Sequence, residues 1–253
     1  MVSPSPWPLF VGLSVLGLTV GATLYMHAIG FLLFVSSLAA LLFGFSLWWR
    51  DVLREAGCAG CHTYLVQIGL KFGFLLFIVS EVMFFFAFFW AFFHSALSPS
   101  IELGCTWPPA GVMPFDPWSV PFLNTCILLL SGSTVTAAHH YMMEGNGGES
   151  RGFLLYTLIL ALLFTSVQLS EYYSSSFSIN DGAYGSTFFM ATGFHGLHVM
   201  IGTCFLAVCY FRMFYHQFIR FHHVGFEASV WYWHFVDVVW LFLFVSIYWW
   251  GGS

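Results

Sequence analysis

Seven long apolar stretches constrain this 253-residue chain more than any other feature of its sequence. A helix that spans the hydrocarbon core of a bilayer needs about 20 mostly apolar residues, and each stretch is long enough to form one. Charged residues make up only 7% of the chain, against about 25% in ordinary soluble domains. The sequence therefore predicts an all-α integral membrane protein rather than a soluble globular one. The predicted spans cover residues 7–26, 28–48, 68–97, 119–143, 152–173, 185–213 and 226–250.

The charged residues predict how these spans are oriented. All six basic residues lie near the even-numbered connections, whereas the odd-numbered connections carry acidic residues instead. By the positive-inside rule, the even connections and the N-terminus face the cytoplasm, or the matrix in a mitochondrion. Six cations are too few for a nucleic-acid surface, so we predict no nucleic-acid partner. The basic residues are Arg50, Arg54, Lys71, Arg151, Arg212 and Arg220, and the acidic ones are Glu102, Asp116, Glu171 and Asp181.

Glu81, His234 and Asp237 are the ionisable residues that we expect to be buried within the predicted spans. Glu81 lies near the middle of the third span, where a carboxyl group is costly unless it is protonated, paired, or beside water or a lipid headgroup. We take Glu81 as a candidate functional residue, with a protonated acid hydrogen-bonded to a neighbouring helix as the structural alternative. His234 and Asp237 lie three residues apart on one face of the last span, so we predict that these buried groups pair with each other.

Histidines and cysteines suggest metal or haem chemistry, but their context argues against it. His195 and His198 share a helix face, yet no carboxylate or thiolate has the Glu-x-x-His spacing of metal centres in helical bundles, so we predict no metal site. Cys58-Ala59-Gly60-Cys61-His62 matches the C-x-x-C-H motif of covalent c-type haem. Residues 51–67 form a short connection on the basic side, without room to enclose haem, and we interpret the motif as a decoy. A redox-active or metal-binding role of the Cys58 and Cys61 thiols remains an alternative.

Basic and aromatic residues near the inner interface suit phospholipid headgroups. Arg50, Arg54 and Arg212 could neutralise and hydrogen-bond phosphates, with Trp49 and His62 close in sequence to the first two. Ordinary topology-setting charge explains the arginines equally well.

A series of sequence blocks extends over almost the whole chain. The blocks are Ser3–Pro8, Trp48–Glu55, Ser80–Phe86, Tyr184–Phe189, Thr192–His198, His222–Glu227 and Trp231–Trp250. In this order, they resemble the cytochrome c oxidase subunit III family. Where relatives read His-His-Thr, this chain reads Cys61-His62-Thr63, so the haem-like motif arises by substitution inside a segment of that family.

The resemblance implies a fold and a set of lipid contacts. Seven helices would form a two-helix bundle over residues 1–50 and a five-helix bundle over residues 68–253, with residues 51–67 as the matrix-side connection. A V-shaped cleft filled with lipid would lie between the bundles. Carried over by position, Glu81 would be the family's buried acid facing that cleft. The candidate lipid contacts are Trp49, Arg54, His62, Glu81, His198 and Arg212.

The resemblance also implies a function. The chain would be a core subunit of respiratory complex IV without redox centres, catalysing nothing alone but supporting proton uptake and sustained turnover as oxygen is reduced to water. Its own ligands would be phospholipids of the cardiolipin, phosphatidylglycerol or phosphatidylethanolamine type, and haem a and copper would belong to partner subunits. Subunit I would be the main contact, with subunit II, accessory subunits and a respiratory supercomplex as further partners. The expected location is the mitochondrial inner membrane, with the N-terminus in the matrix and the C-terminus in the intermembrane space.

Two other functions follow from single features of the sequence. A small-solute or proton transporter would use Glu81 and Asp237 as relay acids, and it predicts helices broken near the membrane midplane. A membrane-anchored c-type cytochrome would attach haem through Cys58 and Cys61.

Overall fold

The computed structural model describes residues 4–252, apart from the side chain of Glu102. The described residues form helices and connections, and their only bridge of strand type joins Ile219 and His222. The seven long helices are α1 (Trp7–Met26), α2 (Leu32–Gly57), α3 (Tyr64–Leu97), α4 (Val120–Glu144), α5 (Gly147–Tyr173), α6 (Gly182–Phe214) and α7 (Val224–Leu243). A π-helical segment (Phe244–Trp249) and a 3-10 turn (Trp250–Gly252) extend α7. All seven are long and apolar enough to cross a membrane, which confirms the all-α class and the predicted number of spans.

Helix α2 differs most from its prediction. It continues to Gly57 rather than ending at residue 48, so only Cys58–Thr63 connects it to α3. Apolar composition identifies only the part of a helix that lies in hydrocarbon. The backbone hydrogen bonds of α2 continue beyond that part, through the polar segment that begins at Arg50. The predicted connection over residues 51–67 is therefore mostly helical.

The chain divides into two compact units, Met1–Gln67 and Ile68–Ser253. In the first unit, α1 and α2 pack as a hairpin whose buried helical residues are Ser14, Gly21, Ser37 and Gly44. A Cβ atom on Gly21 would lie only 2.5 Å from the Phe34 backbone nitrogen. Small residues thus allow the two backbones to approach closely, as at many helix contacts in membranes.

The second unit is packed by aromatic side chains. Trp233 and Trp240 of α7 are fully buried, and their indole N–H groups donate to Ser131 Oγ and Thr125 Oγ1 of α4, each at 2.9 Å. Helix α3 joins this core through ring contacts, including a stacked pair of Phe77 with Tyr232 on α7 at 6.4 Å between centroids.

The basic residues of the second unit gather at one end of its helices. Lys71 Nζ lies 2.5 Å from Glu227 Oε2, and this ion pair joins the N-terminal part of α3 to the first turn of α7. Arg151 at the start of α5 and Arg220 in the α6–α7 connection line one pocket. The described positions agree with the clustering that the charge pattern predicted, and the side of the membrane stays a prediction.

Candidate functional site

Glu81 and His198 form the central feature of the candidate site. Glu81 on α3 and His198 on α6 are 117 residues apart in sequence, and Glu81 Oε2 lies 2.7 Å from His198 Nε2. The side chains are 23% and 9% exposed. The sequence identified both residues as candidates but did not predict that they pair.

The hydrogen bonds of His198 define the chemistry of this pair. His198 Nδ1 lies 2.6 Å from the Phe194 carbonyl oxygen, which can only accept, so Nδ1 carries a proton. Nε2 then accepts from a protonated Glu81 or, as part of an imidazolium, donates to the carboxylate. Both arrangements contain the same number of protons and carry no net charge. The pair therefore reduces the cost of placing a carboxyl group inside a membrane span.

Aromatic rings enclose the imidazole of His198. Its centroid lies 4.9 Å from that of Phe85 and 6.4 Å from that of Tyr232, with the Tyr232 ring nearly parallel at 15°. Phe235 completes this side at 6.3 Å. The rings fix the imidazole plane, so the bond to Glu81 has one orientation.

His234 and Asp237 form a second pair, on α7, with 3.5 Å between His234 Nδ1 and Asp237 Oδ2. The contact agrees with the predicted pairing, and a Cβ atom at Gly132 would clash with Asp237 Oδ2. The Asp237 side chain is buried at 8% exposure, whereas that of His234 is 43% exposed in the chain by itself. His234 lies at the edge of the α4–α7 contact, where its Nε2 is 3.0 Å from Thr136 Oγ1, and its burial stays a prediction.

Arg212 lies in the last turn of α6, away from any carboxylate contact among the described residues. Its guanidinium carbon lies 4.2 Å from the centroid of the Phe218 ring, and its Nε donates to Gln217 Oε1 at 3.2 Å. The guanidinium keeps its positive charge, so Arg212 is suited to an anionic group at this interface.

The other three candidate lipid contacts belong to the first unit. Trp49 and Arg54 are exposed on the last turns of α2, and Arg54 has no ion-pair partner among the described residues. His62 is partly buried in the connection that follows, and its carbonyl oxygen accepts from Gln67 Nε2 at 3.1 Å. Exposed aromatic and cationic groups at a helix end are typical of the headgroup level of a membrane.

The connection Cys58–Thr63 carries the haem-like motif in a tight turn. The N–H of Cys58 donates to the Arg54 carbonyl oxygen at 2.8 Å, and that of Cys61 to the Glu55 carbonyl oxygen at 3.0 Å. Both cysteines are exposed and free. Among the described residues, no three His, Cys, Asp or Glu side chains are grouped to hold a metal ion.

The sequence did not identify a buried polar network in the second unit. Asn124 Nδ2 donates to Gln168 Oε1, and Gln168 Nε2 donates to the Tyr248 hydroxyl, both at 3.2 Å. Glu171, at the end of the predicted fifth span, lies in the last turn of α5 and is 3% exposed. Isolated polar residues in apolar stretches give no signal of which helix they face, so this network depends on the packing.

The fold and these pairs define a class, a membrane protein whose described residues form seven candidate spans and hold two acid–histidine pairs within them. Comparison with known proteins gives the family. The profile of cytochrome c oxidase subunit III matches residues 1–252. Proteins named cytochrome c oxidase subunit 3 from Arabidopsis thaliana and Triticum aestivum are each 58% identical to the chain over 254 residues, covering all of it and 96% of the relative. The protein of that name from Osphranter robustus is 58% identical over 252 residues, covering 97% of its length. The chain belongs to the cytochrome c oxidase subunit III family.

Proposed function

We propose that the chain is the third core subunit of a respiratory cytochrome c oxidase. It packs mainly on subunit I, with subunit II, accessory subunits and a respiratory supercomplex as further partners. It supports proton uptake and sustained turnover, while haem a and copper reside in the partner subunits. The observation that carries the proposal is the family match over residues 1–252, at 58% identity to a full-length relative.

The geometry around Glu81 supports a structural role for this acid. Its carboxyl group is held by His198 at 2.7 Å in a pair without net charge. The transporter alternative requires helices broken near the midplane. Helix α3 is continuous from Tyr64 to Leu97 through Glu81, and α7 from Val224 to Leu243 through Asp237. The continuous helices favour the subunit function over transport.

The proposal includes phospholipids as ligands of this chain. Arg54 and Arg212 are cations without a carboxylate partner among the described residues, at the headgroup level of their helices. Trp49 and His62 add an aromatic ring and a polar donor near Arg54. Guanidinium groups bind phosphate through paired hydrogen bonds, so phospholipids of the cardiolipin, phosphatidylglycerol or phosphatidylethanolamine type fit these positions. The lipid-filled cleft stays a prediction from the resemblance.

The location is part of the same proposal. A multi-pass protein of this family fits the mitochondrial inner membrane, and the cations at the Lys71 and Arg151 ends favour that side as the matrix. The N-terminus would then lie in the matrix and the C-terminus in the intermembrane space.

The test is a reduced-minus-oxidised absorbance spectrum of the native complex, isolated through a tag on this chain. We expect bands of a-type haem that disappear from the chain when its partners are stripped away. A Glu81→Gln variant should retain these bands, because the amide can still donate to His198 Nε2. A complex without a-type haem would refute the oxidase assignment, and flux of protons or small solutes through vesicles containing the chain alone would favour the transporter.

A further inference from the structure

The second unit contains a pocket that none of the candidate lipid contacts lines. It has a volume of about 330 Å³ and lies between the α4–α5 turn and the end of α6 with the α6–α7 connection. Met142 and Met213, both buried, form its inner part together with the Phe218 ring. Arg151, which is partly buried, and Arg220, which is exposed, lie at its opening.

The two arginines are not neutralised within the described part of the chain. No carboxylate is in ion-pair contact with either of them. Arg151 Nε donates to the Gly147 carbonyl oxygen at 3.1 Å, which fixes the side chain and leaves its terminal nitrogens available. The acidic residues at this turn, Glu144 and Glu149, do not line the pocket, and Glu144 contacts His140 at 3.0 Å.

The connection that carries Arg220 has a defined backbone. The Ile219 N–H donates to the His222 carbonyl oxygen at 3.5 Å, and the His222 N–H donates back to the Ile219 carbonyl oxygen at 3.1 Å. Arg220 therefore lies at the tip of a short hairpin. Arg212, stacked on Phe218, adds a third guanidinium beside the pocket.

From these contacts, we infer that the pocket binds a phosphate ester anion, with an anionic phospholipid as the expected source. Two guanidinium groups match the geometry and charge of a phosphate. The methionines and Phe218 provide a soft apolar surface for the glycerol and upper acyl carbons. Basic pockets between spanning helices at the cytoplasmic or matrix end commonly hold such headgroups. Soluble phosphate offers the same anion without the apolar part.

The binding test uses the assembly isolated through a tag on this chain and stripped of lipid in detergent. Dioleoyl phosphatidylglycerol, dioleoyl phosphatidylcholine and inorganic phosphate are added separately, and binding is measured by native mass spectrometry. A photoactivatable phosphatidylglycerol maps the site, and we expect adducts on residues 142–151 and 213–220.

Variants identify the part that the arginines play. We expect the Arg151→Gln/Arg220→Gln double variant to bind phosphatidylglycerol about 30-fold more weakly, and Arg220→Gln alone about fivefold more weakly. Lys71→Gln, whose cation is paired with Glu227 and lies outside the pocket, is the matched control and should change binding less than twofold. Because Arg220 is exposed at a hairpin tip, its single variant tests the site even if the double variant fails to assemble.

The possible outcomes separate the sources. Arginine-dependent binding of phosphatidylglycerol that inorganic phosphate does not displace supports a lipid ligand. Arginine-dependent binding of inorganic phosphate without preference for the lipid keeps the anion site but assigns it to soluble phosphate. The absence of adducts from both segments, or equal binding by Arg220→Gln and Lys71→Gln, would overturn the inference, whatever the haem spectrum of the assembly shows.

Discussion

The two units of the chain bury different kinds of residue. In the α1–α2 hairpin the buried helical positions are serines and glycines, whereas the core of residues 68–253 contains Trp233, Trp240 and many phenylalanines. Lipid tails are as apolar as leucine, so burial of apolar area does not drive helices together inside a bilayer. The hairpin instead gains van der Waals contact through close backbones, and the larger unit gains it through interlocking rings with hydrogen bonds at their edges. Four substitutions, taken from the largest expected effect to the smallest, test this difference.

Trp240→Ala should cause the largest loss. Trp240 is 1% exposed, and its substitution removes a buried ring and the hydrogen bond to Thr125, which we expect to cost about 4 kcal/mol of unfolding free energy. Thermal unfolding of the isolated complex in detergent measures the change. Trp90→Ala is the control, since Trp90 is 65% exposed and should change stability little. Equal losses for the two variants would contradict an aromatic core in the second unit.

Gly21→Ala should destabilise the hairpin by about 2 kcal/mol, because the added methyl group overpacks a close helix contact. The new Cβ would lie 2.7 Å from the Phe34 Cα atom. Protease resistance of residues 4–67 and the yield of assembled complex report the effect. Gly12→Ala, with no atom within 4 Å of its added Cβ, is the matched control. A Gly21→Ala variant as stable as Gly12→Ala would argue against close backbone packing.

Glu81→Gln should lower the free energy of unfolding by about 1 kcal/mol, the net contribution of a typical hydrogen bond. The reason is that the glutamine amide cannot share a proton with His198 as the carboxyl group does. Thermal unfolding again measures the loss, and infrared absorption of the carboxyl group shows whether Glu81 is protonated. Asp51→Asn is the control in the first unit, where the Trp7 indole N–H donates to Asp51 Oδ2 at 2.5 Å and can still donate to the amide. A gain in stability from Glu81→Gln would contradict a satisfied neutral pair.

Lys71→Gln should have the smallest effect, about 0.5 kcal/mol, because exposed ion pairs contribute little in water. The Lys71 side chain is 39% exposed and that of Glu227 is 21% exposed. The stability difference between low and high salt should shrink in the variant, since salt screens the wild-type pair. A loss above that of Glu81→Gln would mean that this ion pair is shielded from water.

The amino-acid sequence by itself determined the number of spans, because an apolar stretch of about 20 residues can satisfy its backbone in lipid only as a helix. It also determined the clustering of the basic residues and the family. It did not determine where α2 ends. The helix continues through the more polar segment Arg50–Gly57, and hydropathy detects only the apolar part of a helix.

The tertiary structure decided which polar groups meet. Glu81 and His198 are 117 residues apart, and Asn124 reaches Gln168 only because α4 and α5 pack in one register. A sequence shows that a carboxyl group inside a span needs a partner. It does not show which of several histidines is that partner. Only the rotation of each helix about its axis, set by the packing of rings such as Phe85 and Tyr232, selects His198. Local composition determines whether a helix lies in lipid or in water, and the packing between neighbouring helices determines which side chains meet.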